Sequence, residues 1–152
     1  MKKVSVFVAI AFAFSLGLAA HVYAAGTAQE AKGMVEKAVA FMKANGKDKA
    51  FAEFNNQKGQ FIKEDLYIFV IDTKGVALAH GGSPRLVGKD MSGLRDADGK
   101  LFIKELIDEA NAKGSGWSNY KWTNPSSKKI EDKATYFKKV DDVIFGCGIY
   151  KK

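Results

Sequence analysis

The sequence predicts an α+β domain in which helices pack on one antiparallel sheet of five strands. Segments with the apolar periodicity of helices begin after residue 26 and recur once near residue 105. The remaining apolar segments have the length of strands and follow one another through short turns. Because the helices do not alternate with strands in the β-α-β order of a parallel sheet, we expect antiparallel pairing.

Three segments have the apolar spacing of helices. Residues 27–44 repeat apolar side chains at steps of three and four, and the following Asn-Gly pair supplies a C-terminal stop. A shorter second helix is predicted with Asp48 as its cap and residues 58–59 at its end. The third helix is predicted over residues 101–112.

Five segments have the length and composition of strands: residues 66–72, 76–80, 116–123, 133–140 and 143–150. The first two are separated by Thr-Lys-Gly and therefore predict a β-hairpin. The last two are joined by Asp141 and Asp142, which predict a tight turn. Between the hairpin and the third helix lies a loop of residues 81–100, which is longer than compact domains usually contain without a functional reason.

The first residues predict export from the cytoplasm. Lys2 and Lys3 precede an uncharged run over residues 4–20, and Val22-Tyr23-Ala24-Ala25 offers small residues for cleavage. We therefore expect residues 1–24 to be a signal peptide and residues 25–152 to form one periplasmic or secreted domain. The alternative is an uncleaved N-terminal membrane anchor, because the apolar run approaches the length that spans a bilayer.

Charge and composition exclude several classes of function. Loss of the two leader lysines lowers the formal charge from +7 to +5, which favours anionic partners at encounter. The lysines are scattered along an exported chain, so nucleic acid is not an expected partner. Zinc-protease, serine-hydrolase and Cys/His motifs do not occur in the sequence, and neither an enzyme nor a cofactor is expected.

One cysteine, Cys147, occurs in the chain, so no intramolecular disulfide can form. It lies between Gly146 and Gly148 in an apolar strand, which favours a small buried residue over a reactive thiol. The two glycines indicate a strand that backbone or a ligand approaches closely.

The segment GWSNYKWTNP, residues 116–125, places three large aromatic rings within six positions. Side chains alternate along a strand, so Tyr120 and Trp122 face one side and Trp117 faces the other. A buried tyrosine hydroxyl or indole N–H requires a polar partner. The pair therefore belongs either to the core of the sheet or to the wall of a pocket that holds a polar ligand.

Five short motifs occur in a fixed order: His80 and Pro84, then Gly88-Lys89, then DADGK at residues 96–100, then GSGWSNYKWTNP at residues 114–125 with Lys133-Ala134-Thr135-Tyr136, and finally GCGIY at residues 146–150. This set resembles single Cache domains of the second type, which are PAS-like sensor domains outside the cytoplasm. The resemblance covers about residues 30–150. It implies a five-stranded antiparallel sheet with a long N-terminal helix, and binding of a small carboxylate or other small metabolite between the sheet and the long loop.

The resemblance nominates six ligand-binding residues: Tyr120, Trp122, Lys133, Tyr136, His80 and Arg95. Lys133 and Tyr136 are three positions apart and face opposite sides of a regular strand, so one of them has a structural role unless the strand is irregular. Lys133 alone fits a solvated surface lysine as well as a ligand contact. Arg95 is one of two arginines and is a candidate partner for a carboxylate.

A calcium loop is a weak alternative for the segment after Leu94. Asp96, Asp98 and Glu105 occupy places in the template, but its first place is Leu94 and no entering helix precedes it. Asp98 is therefore predicted to cap the following helix, and no metal is expected.

Receptors of the resembling family usually hold this domain between two membrane helices and pass the signal to a cytoplasmic module. No second apolar run occurs here, so the expected partner is a membrane-bound receptor, sensor kinase or transporter. The alternative function is a structural module that binds no ligand and dimerises through the N-terminal helix. Met34, Phe41 and Met42 suit such an interface and equally suit packing on the sheet.

Overall fold

A computed structural model describes residues 25–151. The predicted signal peptide, residues 1–24, lies outside the described residues. Within residues 25–151, no helix has the length and apolar character needed to cross a membrane.

The described chain contains three helices, seven strands and one 3-10 turn: α1 (Ala28–Asn45), α2 (Lys47–Asn55), β1 (Ile62–Lys63), β2 (Leu66–Tyr67), β3 (Phe69–Asp72), β4 (Ala77–His80), the 3-10 turn (Pro84–Leu86), α3 (Phe102–Lys113), β5 (Ser115–Thr123), β6 (Ile130–Val140) and β7 (Val143–Tyr150). Five strands form one sheet in the order β4-β3-β7-β6-β5, and every neighbouring pair is antiparallel. The predicted α+β fold with a five-stranded antiparallel sheet is confirmed.

The first predicted strand divides into two. Leu66 and Tyr67 leave the main sheet and pair with Ile62 and Lys63 in a separate two-stranded ribbon. The ribbon turns at Glu64, whose backbone φ of 56° lies in the left-handed region. Strands of two residues have no measurable periodicity, so the ribbon was not predicted.

The first helix ends at the predicted Asn-Gly stop, but the start and end of α2 differ from the prediction. Gly46, with φ 82°, ends α1 and directly precedes α2, which begins at Lys47. The prediction that Asp48 caps this helix is wrong, because Asp48 lies inside the first turn and no side chain caps the helix. The helix ends at Asn55, before the predicted stop at residues 58–59, because Asn56 is already extended.

The prediction that Asp98 caps α3 is also wrong. The residue that precedes α3 is Leu101, and no side chain caps the helix. The Asp98 carboxylate instead accepts a hydrogen bond from Nζ of Lys121 at 3.0 Å, which binds the long loop to β5. Among residues 25–151, no group of three or more His, Cys, Asp or Glu side chains is arranged to hold a metal ion.

The sheet has a separate apolar core on each face. Helices α1 and α2 cover one face, and α3 with the long loop covers the other. Strand β7 contributes to both cores, since Phe145 packs on the α1 side and Ile144 on the α3 side. Cys147 is fully buried on the α1 side, as predicted, and burial raises the pKa of its thiol to about 12.

The two glycines of β7 make room for side chains on the α3 side. A Cβ atom at Gly146 would overlap the ring of Phe69, and a Cβ atom at Gly148 would overlap the side chain of Lys133. The close approach at this strand, predicted for backbone or a ligand, is instead made by side chains of the protein itself.

Gly146→Ala is expected to lower the free energy of unfolding by about 1–3 kcal/mol, because the added methyl group overpacks a buried core. Phe69 is only 2% exposed, so its ring cannot move aside into solvent. Urea denaturation measures the change. Gly33→Ala is the matched control, because Gly33 lies in α1 with no atom near its added Cβ and should gain about 0.5–1 kcal/mol. Equal stability of the two variants would contradict the expectation.

Candidate functional site

A small cavity lies between the sheet and α3. Eight side chains line it: Tyr67, Phe69, His80, Met91, Phe102, Ile103, Tyr120 and Trp122. We call this space the inner cavity. Its volume is about 10 Å³, which is room for about one water molecule. Three of the predicted ligand-binding residues, His80, Tyr120 and Trp122, are in its wall.

Lys133 on β6 lies beside the inner cavity and is buried, with 1% of its surface exposed. Its Nζ donates a hydrogen bond of 2.7 Å to the hydroxyl of Tyr67. The same nitrogen lies 4.2 Å from the ring centre of Tyr67, 5.0 Å from that of Tyr150 and 6.0 Å from that of Tyr120. Three tyrosine rings therefore surround one cationic group, an arrangement stabilised by cation-π attraction.

No carboxylate of residues 25–151 lies within ion-pair distance of the Lys133 amine. Within residues 25–151 its amine makes one hydrogen bond, to Tyr67, and no ion pair. Burial lowers the pKa of Lys133 from 10.5 to about 7, and electrostatic interactions with Cys147 and Asp65 oppose this effect without cancelling it. A buried cation without a counterion is costly, and an ammonium group can donate three hydrogen bonds. The site therefore has donor capacity and positive charge available for an anion.

His80, at the end of β4, supplies a neutral donor. It is 3% exposed, and its Nδ1 accepts a hydrogen bond of 2.9 Å from the backbone N–H of Ser83. Burial, with a smaller effect from the charge of Lys133, lowers the pKa of His80 to about 3. The imidazole is therefore neutral at physiological pH, with its proton on Nε2.

Three tyrosine hydroxyls form the polar part of the site. The hydroxyl of Tyr120 is 2.8 Å from Oγ1 of Thr135, and the hydroxyl of Tyr150 donates to the backbone oxygen of Thr123 at 2.9 Å. The hydroxyls of Tyr67 and Tyr150 are 3.4 Å apart. Burial is the largest cause that raises the pKa of all three tyrosines above the usual range, so they remain neutral phenols.

Two of the predicted residues lie away from the inner cavity. Tyr136 faces the α1 side, where its ring is 5.5 Å from that of Trp117, because residues 133 and 136 of a regular strand face opposite sides. Arg95 is exposed in the long loop, and its Nη1 donates a hydrogen bond of 2.7 Å to the backbone oxygen of Gly99. The structure thus brings together four of the six nominated residues: His80, Tyr120, Trp122 and Lys133.

Sequence reasoning did not nominate Tyr67, Phe102 or Tyr150. Tyr67 lies in a continuous apolar run that predicts a buried strand and gives no indication of a polar site. Phe102 stacks on Tyr120 with a centre-to-centre distance of 4.4 Å, but its position in α3 predicts only core packing. Tyr150 could have been found from the sequence, because it follows Gly148 by two residues and therefore lies on the same face of the strand. Lys133 packs over Gly148 on that face.

A larger pocket adjoins the inner cavity. Nine residues line it: Tyr67, Gly82, Ser83, Arg85, Leu86, Trp122, Thr123, Pro125 and Lys128. We call it the outer pocket. Its volume is about 330 Å³, and it shares Tyr67 and Trp122 with the inner cavity. These two side chains therefore separate the two spaces.

A comparison with protein-family models identifies the family of the chain. The family model described as Single Cache domain 2 matches residues 17–152. The chain belongs to this family. The resemblance that the five motifs suggested is confirmed.

Two curated relatives contain a region similar to this Cache domain. The sensor histidine kinase MctS of Rhizobium johnstonii is 36% identical over 89 residues, which are 57% of this chain and 19% of that protein. The methyl-accepting chemotaxis protein McpP of Pseudomonas putida is 30% identical over 88 residues, which are 57% of this chain and 16% of that protein. The matched region is thus less than a fifth of each relative.

Solved structures show the same fold. A periplasmic sensor domain of a chemotaxis protein has a TM-score of 0.64 and 26% identity, over 82% of this chain and 90% of that one. A methyl-accepting chemotaxis protein from Vibrio parahaemolyticus has a TM-score of 0.67 and 27% identity, over 80% of this chain and 86% of that one. A Cache chemosensory domain, whose structure shows the basis of its carboxylic acid recognition, has a TM-score of 0.65 and 24% identity, over 82% of this chain and 88% of that one.

These comparisons establish the general role of the domain. It is a Cache sensor domain of the kind found in chemoreceptors and sensor kinases. Cache domains are extracytoplasmic, and the family is one of ligand-binding rather than catalytic domains.

Proposed function

We propose that this Cache domain binds a small organic anion, such as a short carboxylate, beside Lys133. The observation that supports this most strongly is the buried amine, which lies among three tyrosine rings and forms no ion pair within residues 25–151. A bound carboxylate would supply the missing counterion. The proposal includes removal of residues 1–24 as a signal peptide, and a membrane-bound receptor, sensor kinase or transporter as the partner that receives the signal.

The groups around the inner cavity suit a carboxylate. Nζ of Lys133, the Nε2–H of His80 and the hydroxyl of Tyr67 are donors on one side of the space, and charge-assisted hydrogen bonds to such an anion are strong. The apolar part of the ligand would contact Phe102 and Trp122. Exclusion of water by the surrounding rings increases the attraction between the opposite charges.

The ligand must enlarge the inner cavity, because a carboxylate is bigger than the single water that fits there. Trp122 is half-buried and separates the inner cavity from the outer pocket. Its outward displacement, which would separate it from the ring of Phe102, would open a path between the two spaces. The Cache domain that recognises carboxylic acids has the same fold, which is compatible with a ligand at this place.

Acetate, propionate and pyruvate are expected to stabilise the purified protein. A ligand at a hundredfold excess over its dissociation constant adds about 2.7 kcal/mol, which raises the melting temperature of a domain of this size by several degrees. Thermal shift and isothermal titration calorimetry measure the effect. Trp122→Ala should reduce the affinity, because the indole forms the wall shared by both spaces.

Trp117→Ala is the control for this experiment. Trp117 is on the same strand but 37% exposed on the opposite face of the sheet, so its removal should leave the affinity unchanged. Equal affinities of the wild type and a folded Trp122→Ala variant would exclude the proposed site.

A second candidate function is supported by the small volume of the inner cavity. A domain whose cavity is filled by its own side chains would act as an interaction module, for example by dimerising through α1. Met42 is buried, and Met34 and Phe41 pack against the same core, so these three residues contribute to the interior of the monomer. A stable dimer in sedimentation experiments, with no thermal response to any carboxylate, would favour this function.

A further inference from the structure

The outer pocket contains two cations that have no partner among residues 25–151. Arg85 lies on the 3-10 turn, and Lys128 lies in the turn between β5 and β6; both are exposed. Within residues 25–151 neither side chain makes a hydrogen bond or an ion pair. None of the nine residues that line the pocket is acidic. The pocket therefore has a net positive lining.

The backbone at Lys128 is unusual for a residue with a side chain. Its φ is 61°, in the left-handed region that favours glycine or asparagine. The turn is well bonded, because Asn124 donates its N–H to the oxygen of Lys129 at 2.8 Å and accepts the N–H of Lys128 at 2.9 Å. A lysine at a position that would suit glycine points to a use for its side chain.

The outer pocket is one of the spaces of ligand size beside the inner site. Its volume of about 330 Å³ lies within the range of small-molecule sites, whereas the inner cavity holds about 10 Å³. Ser83 and Thr123 add polar groups to its wall. An arginine guanidinium matches a carboxylate through two parallel N–H donors, and a lysine adds a mobile positive charge.

We propose that Arg85 and Lys128 form an outer carboxylate subsite, so that the preferred ligand is a short dicarboxylate. One carboxylate binds at Lys133 and the other in the outer pocket, with the carbon chain passing between Tyr67 and Trp122. This inference rests on the proposed function, because it uses Lys133 as the inner anchor. The outer subsite narrows the expected ligand from a small organic anion to a short dicarboxylate.

Calorimetry of the purified protein tests the inference with two series of ligands at matched ionic strength: malonate, succinate and glutarate, and acetate, propionate and butyrate. The best dicarboxylate is expected to bind on the order of tenfold more tightly than the monocarboxylates. Arg85→Gln and Lys128→Gly should each reduce the ratio of dicarboxylate to monocarboxylate affinity towards one. Lys128→Gly should not lower the melting temperature, because glycine adopts the backbone conformation of this position more readily.

Lys129→Ala is the matched control. It removes one positive charge from the neighbouring position of the same turn but from outside the pocket lining, so the ratio should persist. An equal affinity for both series, or a ratio that Arg85→Gln and Lys128→Gly leave intact, overturns the inference.

The same experiment separates this inference from the proposed function. Monocarboxylate binding that depends on Lys133, without any advantage for dicarboxylates, retains the proposed function and overturns the outer subsite. Dicarboxylate binding that depends on Arg85 and Lys128 but not on Lys133 overturns both the inner site and the bridging ligand. Absence of binding by either series overturns both proposals.

Discussion

Lys133→Met is expected to abolish the response to carboxylates and to stabilise the unliganded protein. Methionine fills a similar volume without a charge, and replacement of buried charges by apolar groups is often stabilising by about 1–4 kcal/mol. Lys133 has no ion pair within residues 25–151, so its removal leaves no carboxylate unpaired. Calorimetry measures the loss of carboxylate binding, and urea denaturation measures the gain in stability.

Lys138→Met on the same strand is the control for this variant. Lys138 forms an ion pair of 2.7 Å with Glu36, and both side chains are partly exposed, so its loss should change stability by less than about 1 kcal/mol. Carboxylate binding should be retained. A Lys133→Met protein that is less stable than the wild type and still binds carboxylates would show that the lysine has only a structural role.

The fold was predictable where one pattern extended over many residues. Helix α1 has five turns of apolar periodicity, and β7 alternates between two buried faces, so the sequence predicted both within a few residues. The β1–β2 ribbon was not predictable, because its two-residue strands depend on contacts made by the folded chain. The cap of α3 was assigned wrongly because Asp98 has a better partner in Lys121, which is remote in sequence.

The site was predictable in part for the same reason. Strand alternation correctly placed Tyr120 and Trp122 on one face and predicted that Lys133 and Tyr136 face opposite sides. It gave no preference between these last two residues, because the burial of a lysine depends on the space opposite it. That space exists because residue 148 is glycine, whose absent side chain admits the methylene groups of Lys133.

The two arginines show more clearly what could not be predicted from the sequence. Arg95 and Arg85 both occupy the long loop, and composition alone cannot distinguish them. In the structure Arg95 bonds to Gly99 within its own loop, whereas Arg85 lines the outer pocket. The part of the loop that carries Arg95 is held against β5, because Asp96 accepts hydrogen bonds from the backbone N–H groups of Lys100 and Lys121.

The affinity for carboxylates is expected to fall as the pH rises above about 7. The pKa of Lys133 is about 7 in the unliganded protein, so below this pH the amine already has the charge that a carboxylate needs. Above it, binding must take up a proton, and the affinity should fall about tenfold for each pH unit. Calorimetry at pH 6, 7, 8 and 9, in buffers with different ionisation enthalpies, measures both the affinity and the proton uptake.

The other groups near the amine do not titrate in this range. The pKa of His80 is about 3 and that of Cys147 about 12, and the pKa values of Tyr67 and Tyr120 are raised above the usual range. A single proton per ligand is therefore expected. An affinity that is constant from pH 6 to 9 would mean that the bound anion does not contact the amine of Lys133.

The stability of the unliganded protein should change in the opposite direction over the same range. The folded-state pKa of Lys133 is lowered below its ordinary 10.5, so between about pH 7 and 10.5 the unfolded chain binds a proton that the folded chain has released. Stability therefore rises with pH across this window, and Lys133→Met should remove that rise. A carboxylate binds most tightly where the empty site is least stable, because the buried charge that destabilises the empty domain is the group that the ligand neutralises.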